Sequence, residues 1–158
     1  MKKLSFLLLA ITIAASSFAQ SNTMELVTVK KIKTDEIVTS LKIYNNVEVI
    51  LTSDSINIIQ VAGQKTDVEN TQVSVSNGVL TIRNTSEGCS AEKVVILVPA
   101  GQVHSISIHG ASTVSSAGTL SNEMLDIAIN GEGKANIKSS GNIRTNTVAD
   151  ILIDSICK

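Results

Sequence analysis

Along most of the chain, apolar and polar residues alternate in short runs bounded by Gly, Asn and Ser, the signature of half-buried β-strands. Val47, Val49 and Leu51 alternate within NNVEVILTS, and SINIIQVAG offers Ile56 and Ile58, then Ile59 and Val61. In QVSVSNGVLTIRN, Val73 and Val75 face Leu80 and Ile82 across Asn77-Gly78, the pair favoured in a type I′ hairpin turn. KVVILVP, Lys93 to Pro99, is apolar at both parities. That predicts a strand covered on both faces, ended by the only proline. KKIKTDEIVTSLKIY has some helical character, but its β-branched residues weigh against a helix.

A second period overlies the first. Ile106 and Ile108 recur as Ile127 and Ile129, a step of 21, and as Ile151 and Ile153, a step of 24. Gly110 recurs as Gly131, with Ser155 in the third copy. Val114 answers to Ile137, Gly118 to Gly141 and Leu120 to Ile143, each a step of 23. Short units that cannot bury their own apolar face predict a solenoid in which like positions stack. With three short strands per unit and no helix between them, the expectation is a single-stranded parallel β-helix with three faces. Its core ladder would be Ile106, Ile108, Ile127, Ile129, Ile151 and Ile153. An antiparallel sandwich also gives short, evenly spaced strands, but it does not require Ile-x-Ile and Gly to return on schedule. The N-terminal half, with its hairpin, is expected to be less regular, partly antiparallel and to cap the helix. The open end is then C-terminal.

MKKLSFLLLAITIAASSFAQ has a basic start, an apolar stretch from Leu4 to Ala15 and a small-x-small site at Ser17-Phe18-Ala19. It reads as a secretory signal peptide, residues 1–19, cleaved after Ala19 and leaving no transmembrane segment. Residues 20–35 form a leader and 36–158 the β-helix domain. Without Lys2 and Lys3, 11 basic residues face 14 acidic ones, a net charge of −3. No basic stripe for nucleic acid is visible. Tyr44 becomes the only aromatic, too few for a base-stacking platform or an aromatic cage. Cys89 and Cys157 are allowed to pair in an oxidising compartment, although nothing in their spacing requires it.

LKIYNNVEVILTSDSINIIQVAG, VSVSNGVLTIRN, VVILVPAGQVHSISIHGASTV and LDIAINGEGKANI together resemble the putative auto-transporter adhesin, head GIN domain family of Bacteroides-group bacteria. The similarity runs from about Leu41 to Ile153. Its most specific parts are the strand around Pro99 and the Ile-x-Ile-x-Gly rungs. The resemblance implies an exported protein with a right-handed β-helix fold, and it offers no catalytic residues to carry over. Members of that family continue for further rungs and a closing Gly-rich segment, so this chain reads as short of its C-terminal rungs.

Candidate chemistry is sparse. His109, Ser112 and Asp126 invite a hydrolase reading, but no G-x-S-x-G elbow is present. Strand parity places Ser105, Ser107 and His109 outward and His104 with the inward isoleucines. DIAINGEGKANI matches a calcium loop at Asp126, Asn130 and Gly131 and fails at Ala128 and Ile137. Gly131-x-Gly133 precedes no helix, as a phosphate loop would. The two histidines are isolated, and the cysteines lack metal-type spacing. Asp126 with Glu123 or Glu132 is the only carboxylate pairing the rungs suggest for glycan cleavage. Asn84-Thr85-Ser86 is an N-glycosylation sequon, and Asp54-Ser55-Ile56 and Asp154-Ser155-Ile156 match the Asp-Ser-aliphatic O-glycosylation site of Bacteroides-type exported proteins.

The expectation is an exported, non-enzymatic module without catalytic, cofactor or metal residues, acting in adhesion or interaction in the periplasm, at the cell surface or outside the cell. Its partner would be a protein or glycan, with end-to-end self-association through an uncovered C-terminal rung. The alternatives are a glycan-binding or polysaccharide-active protein, and a truncated copy with no independent activity.

Overall fold

The computed structural model describes residues 27–54, 57–85 and 93–148. Its strands are β1 Thr28–Lys33, β2 Ser40–Tyr44, β3 Val47–Thr52, β4 Ile58–Gly63, β5 Thr71–Ser76, β6 Val79–Asn84, β7 Val94–Pro99, β8 Ser105–His109, β9 Thr113–Leu120, β10 Met124–Asn130, β11 Lys134–Ser139 and β12 Asn142–Val148. A short helix, α1 Lys65–Asn70, links β4 to β5. The stretch Lys30 to Tyr44 supplies β1 and β2, as its β-branched content implied, and β1 lies within the residues read as leader.

Two six-stranded sheets result. The first has the order β1-β4-β7-β3-β9-β11 and the second β12-β10-β8-β2-β6-β5. This corrects the expected single-stranded parallel β-helix with three short strands per rung. The chain is all-β, but both sheets are mixed, with antiparallel pairs β1/β4, β4/β7 and β5/β6. The reason lies in strand length. Val114 and Leu120, read as two strands, are both on the eight-residue β9, so the unit has no third face. Each unit instead delivers one strand to each sheet: β8 then β9, and β10 then β11.

The place of β2 and β3 also differs from expectation. They do not cap an end. β2 lies between β6 and β8, and β3 between β7 and β9. Leu41, Ile43, Val47, Val49 and Leu51 are fully buried there. In the second sheet Leu41 is in register with Leu80 and Ile106, and Ile106 with Ile127. Ile43 is in register with Ile82 and Ile108, and Ile108 with Ile129. Across the core, Val49 aligns with Ile96 and Val114, and Val114 with Ala135. Each buried aliphatic contributes roughly 1.5–3 kcal/mol, so these columns hold the sheets together.

Beyond β10 the second sheet continues with β12. Leu125, Ile127 and Ile129 pair with Ile143, Thr145 and Thr147, so the aliphatic column ends in threonine. Ile151, Ile153, Cys89 and Cys157 lie outside the described residues.

Turns follow from local chemistry. Asn77 and Gly78 have φ of 52° and 74°, as a type I′ turn requires, and join β5 to β6. Corners from the second sheet into the first pass through Asn45, Gly110 and Gly131, with φ of 68°, 80° and 101°. Only Gly, or Asn with its short polar side chain, adopts that region readily. These corners stack, the Gly110 N–H donating to the Asn130 carbonyl at 2.9 Å and the Asn45 N–H to the His109 carbonyl at 3.2 Å. β7 is covered on one face only: Val94, Ile96 and Val98 are buried, while Val95, Leu97 and Pro99 are partly exposed.

Candidate functional site

Parity and register together build the outer face of the second sheet. On β2, Leu41 and Ile43 point into the core, so Ser40, Lys42 and Tyr44 point out. Parallel pairing carries that parity across neighbouring strands. One row runs Thr81, Lys42, Ser107, Ala128 and Asn146, and the next runs Arg83, Tyr44, His109 and Asn130. The result is a surface on which Lys42, Arg83 and His109 stand among hydroxyls and amides.

Its most ordered feature is a three-layer stack drawn from β6, β2 and β8. The Arg83 guanidinium carbon lies 4.8 Å from the centroid of the Tyr44 ring, a cation–π contact. On the opposite ring face, the His109 imidazole stacks at 4.7 Å between centroids and 9° between planes. Both faces of Tyr44 are therefore occupied, and a sugar ring cannot lie on it. Sequence spacing does not reveal this trio. The signal that finds it is outward parity at the last position of three strands, once their parallel register is known.

The residues suggested for hydrolysis do not meet. Ser112 is fully buried, with its hydroxyl donating to the Asn45 carbonyl and accepting from the Val47 N–H at 3.5 Å. It fastens one corner onto the next. His109 stands outside the sheet. Asp126 aligns with Ser105, four residues along the strand from the His109 position, or about 13 Å away. Its carboxylate lies 3.6 Å from Arg144, in an exposed ion pair. Gly131 and Gly133 form a corner between strands, and the Cβ of any other residue at 133 would meet Ile108 Cγ2 at 2.5 Å. Among the described residues, no group of three His, Cys, Asp or Glu side chains is placed to hold a metal ion.

A cavity of about 400 Å³ lies among the loops at one end of the sheets, lined by Ile37, Val38, Asp54, Asn57, Ile59 and Pro99 among others. Asp54 is the one carboxylate among the described residues that line it, whereas glycoside hydrolysis needs a pair. Ser55 and Ile56, the remainder of that O-glycosylation match, lie outside the described residues, as do Ser86 of the sequon and Asp154 to Ile156. Among the described residues no helix is long and apolar enough to cross a membrane.

Residues 38–152 match the family model described as putative auto-transporter adhesin, head GIN domain. Among solved structures, a putative adhesin from Bacteroides fragilis NCTC 9343 superposes with a TM-score of 0.67 at 18% identity, over 79% of this chain and 61% of that one. A putative adhesin from Parabacteroides merdae ATCC 43184 gives 0.54 at 15% identity, over 78% and 58%. A putative lipid binding protein from Parabacteroides distasonis ATCC 8503 gives 0.54 at 13%, over 78% and 60%. These likenesses show a shared fold, and the chain spans about three-fifths of each of those proteins. No curated protein matches the chain.

Proposed function

Since the chain belongs to the putative auto-transporter adhesin, head GIN domain family, we propose that it is an exported binding module that attaches to a partner at the cell envelope without chemically changing it. The observation that carries this reading is the outer face of the second sheet. It presents in-register polar side chains across neighbouring strands, and the pocket on that face, lined by Ser105, Asp126, Ala128, Arg144 and Asn146 among others, holds one carboxylate. A surface of this kind makes many shallow hydrogen bonds to a broad ligand. The signal-type N-terminus read from the sequence, Lys2 to Ala19, supports delivery outside the cytoplasm.

The test is retention of beads coated with the purified protein on intact cells of its own species. Native coating should hold the beads well above those carrying heat-unfolded protein, with no new reducing ends released from the envelope polysaccharide. Equal retention of both coatings would end the binding reading, and release of reducing ends would replace it with an enzymatic one.

A further inference from the structure

We propose that the outer face of the second sheet binds an acidic polysaccharide, with Arg83 and Lys42 as its cationic contacts. The proposal rests on the adhesion reading and names the class of partner. The Arg83 guanidinium sits over the Tyr44 ring on an exposed side chain, and its planar fork carries an edge of N–H donors. That edge suits a carboxylate taken in two parallel hydrogen bonds. With His109 on the other ring face, the arginine rests on a support assembled before any ligand arrives. Lys42 lies in the adjoining row of the same face, between the hydroxyls of Thr81 and Ser107.

Both cations are exposed, and neither has an ion-pair partner among the described residues. Asp126, in the outward row of Ser40 and Ser105 on this same face, and Glu36 at its hairpin end both have partners of their own. Asp126 pairs with Arg144 two strands away from β2, about 10 Å off and near the screening length in physiological salt. Glu36 accepts the Gly78 N–H at the hairpin end.

Three features select the partner. Because Tyr44 has no free face, a neutral sugar cannot be held by ring stacking, and recognition falls to charge and hydrogen bonds. Hydroxyls flanking Lys42 suit the hydroxyls of a sugar chain laid across the strands. A protein whose net charge is −1 over the full sequence, and −3 without the signal-type segment, opposes a densely charged polyphosphate more than a polymer with one carboxylate per sugar.

Affinity electrophoresis of the full-length protein in gels containing polygalacturonate tests this, with dextran and long-chain polyphosphate gels alongside. Polygalacturonate should retard the protein and dextran should not. Arg83→Gln and Lys42→Gln should each weaken retardation about tenfold, and Arg83→Lys nearly as much as Arg83→Gln because the fork is lost while the charge stays. Lys65→Gln, on α1, should change nothing. Circular dichroism confirms that each variant is folded. The proposal is overturned by absent retardation, by equal losses at Lys65, or by stronger retardation in polyphosphate. Beads that still hold to cells when coated with the Arg83→Gln/Lys42→Gln double variant would overturn it while leaving the adhesion reading intact. Beads that fail with the unaltered protein would overturn that reading itself.

Discussion

At Gly141 a Cβ would lie 2.0 Å from the Asn122 carbonyl oxygen and 2.4 Å from that of Glu123. Both obstacles are backbone, so no side-chain rotation relieves them. Gly118 has nothing within 4 Å of the same hypothetical atom. Gly141→Ala should therefore lower stability by roughly 2–4 kcal/mol, while Gly118→Ala stays within about 0.5 kcal/mol. Urea unfolding at unchanged m-value would measure both. Sequence alone pairs these glycines as equivalent members of a repeat, and the structure separates them, because spacing records recurrence and not crowding. Asn45 shows the converse. It performs the left-handed corner that Gly110 and Gly131 perform in later units, yet nothing in Asn45-Asn46 announces which residue turns. Ser112, a candidate nucleophile by type, proves to be a buried strut.

Strand elements repeat the lesson with different force. The β5–β6 hairpin is legible because Asn-Gly between alternating aliphatics specifies a turn, and the turn specifies who pairs with whom. β2 and β3 are legible as strands for the same alternation, but an apolar face reports that a strand is covered and is silent about its neighbours. Their central position comes from parallel partners 39 to 65 residues away, as from Leu41 to Leu80 and to Ile106, a distance over which local pattern carries no register. Among the described residues Ile106 and Ile127 are in register, while Leu125 meets Ile143 and Ile127 meets Thr145, a step of 18. Burial sets the consequence. Ile43→Ala, fully buried in the middle of its sheet, should cost about 2–5 kcal/mol. Ile143→Ala, 39% exposed on β12, should cost less than about 1 kcal/mol. Thermal unfolding of the two variants would rank them. An equal loss would show that the column does not weaken toward β12.

Over the whole molecule, spatial order departs from chain order. The first unit, β2 with β3, has the unit made of β6 and β7 on one side and that of β8 and β9 on the other. The candidate binding trio inherits this arrangement, since Tyr44 meets Arg83 and His109 only when both flanking strands are present. This is why the trio is the least legible part of the molecule: it needs the topology before the residues mean anything. Proteins rich in such remote pairings fold in roughly milliseconds to seconds. Stopped-flow refolding should place this chain there, and a microsecond phase accounting for the full amplitude would contradict the topology.

Interleaving also bears on how the polypeptide travels. As it emerges from a ribosome, β2 and β3 have no adjacent strand on either flank until β6 and β7 appear, and the second flank waits for β9. The β1/β4 pair and the β5–β6 hairpin can close earlier, but the two-sheet core around β2 and β3 stays open until then. For the export proposed above, that order of closure would leave the core unformed while the polypeptide is threaded.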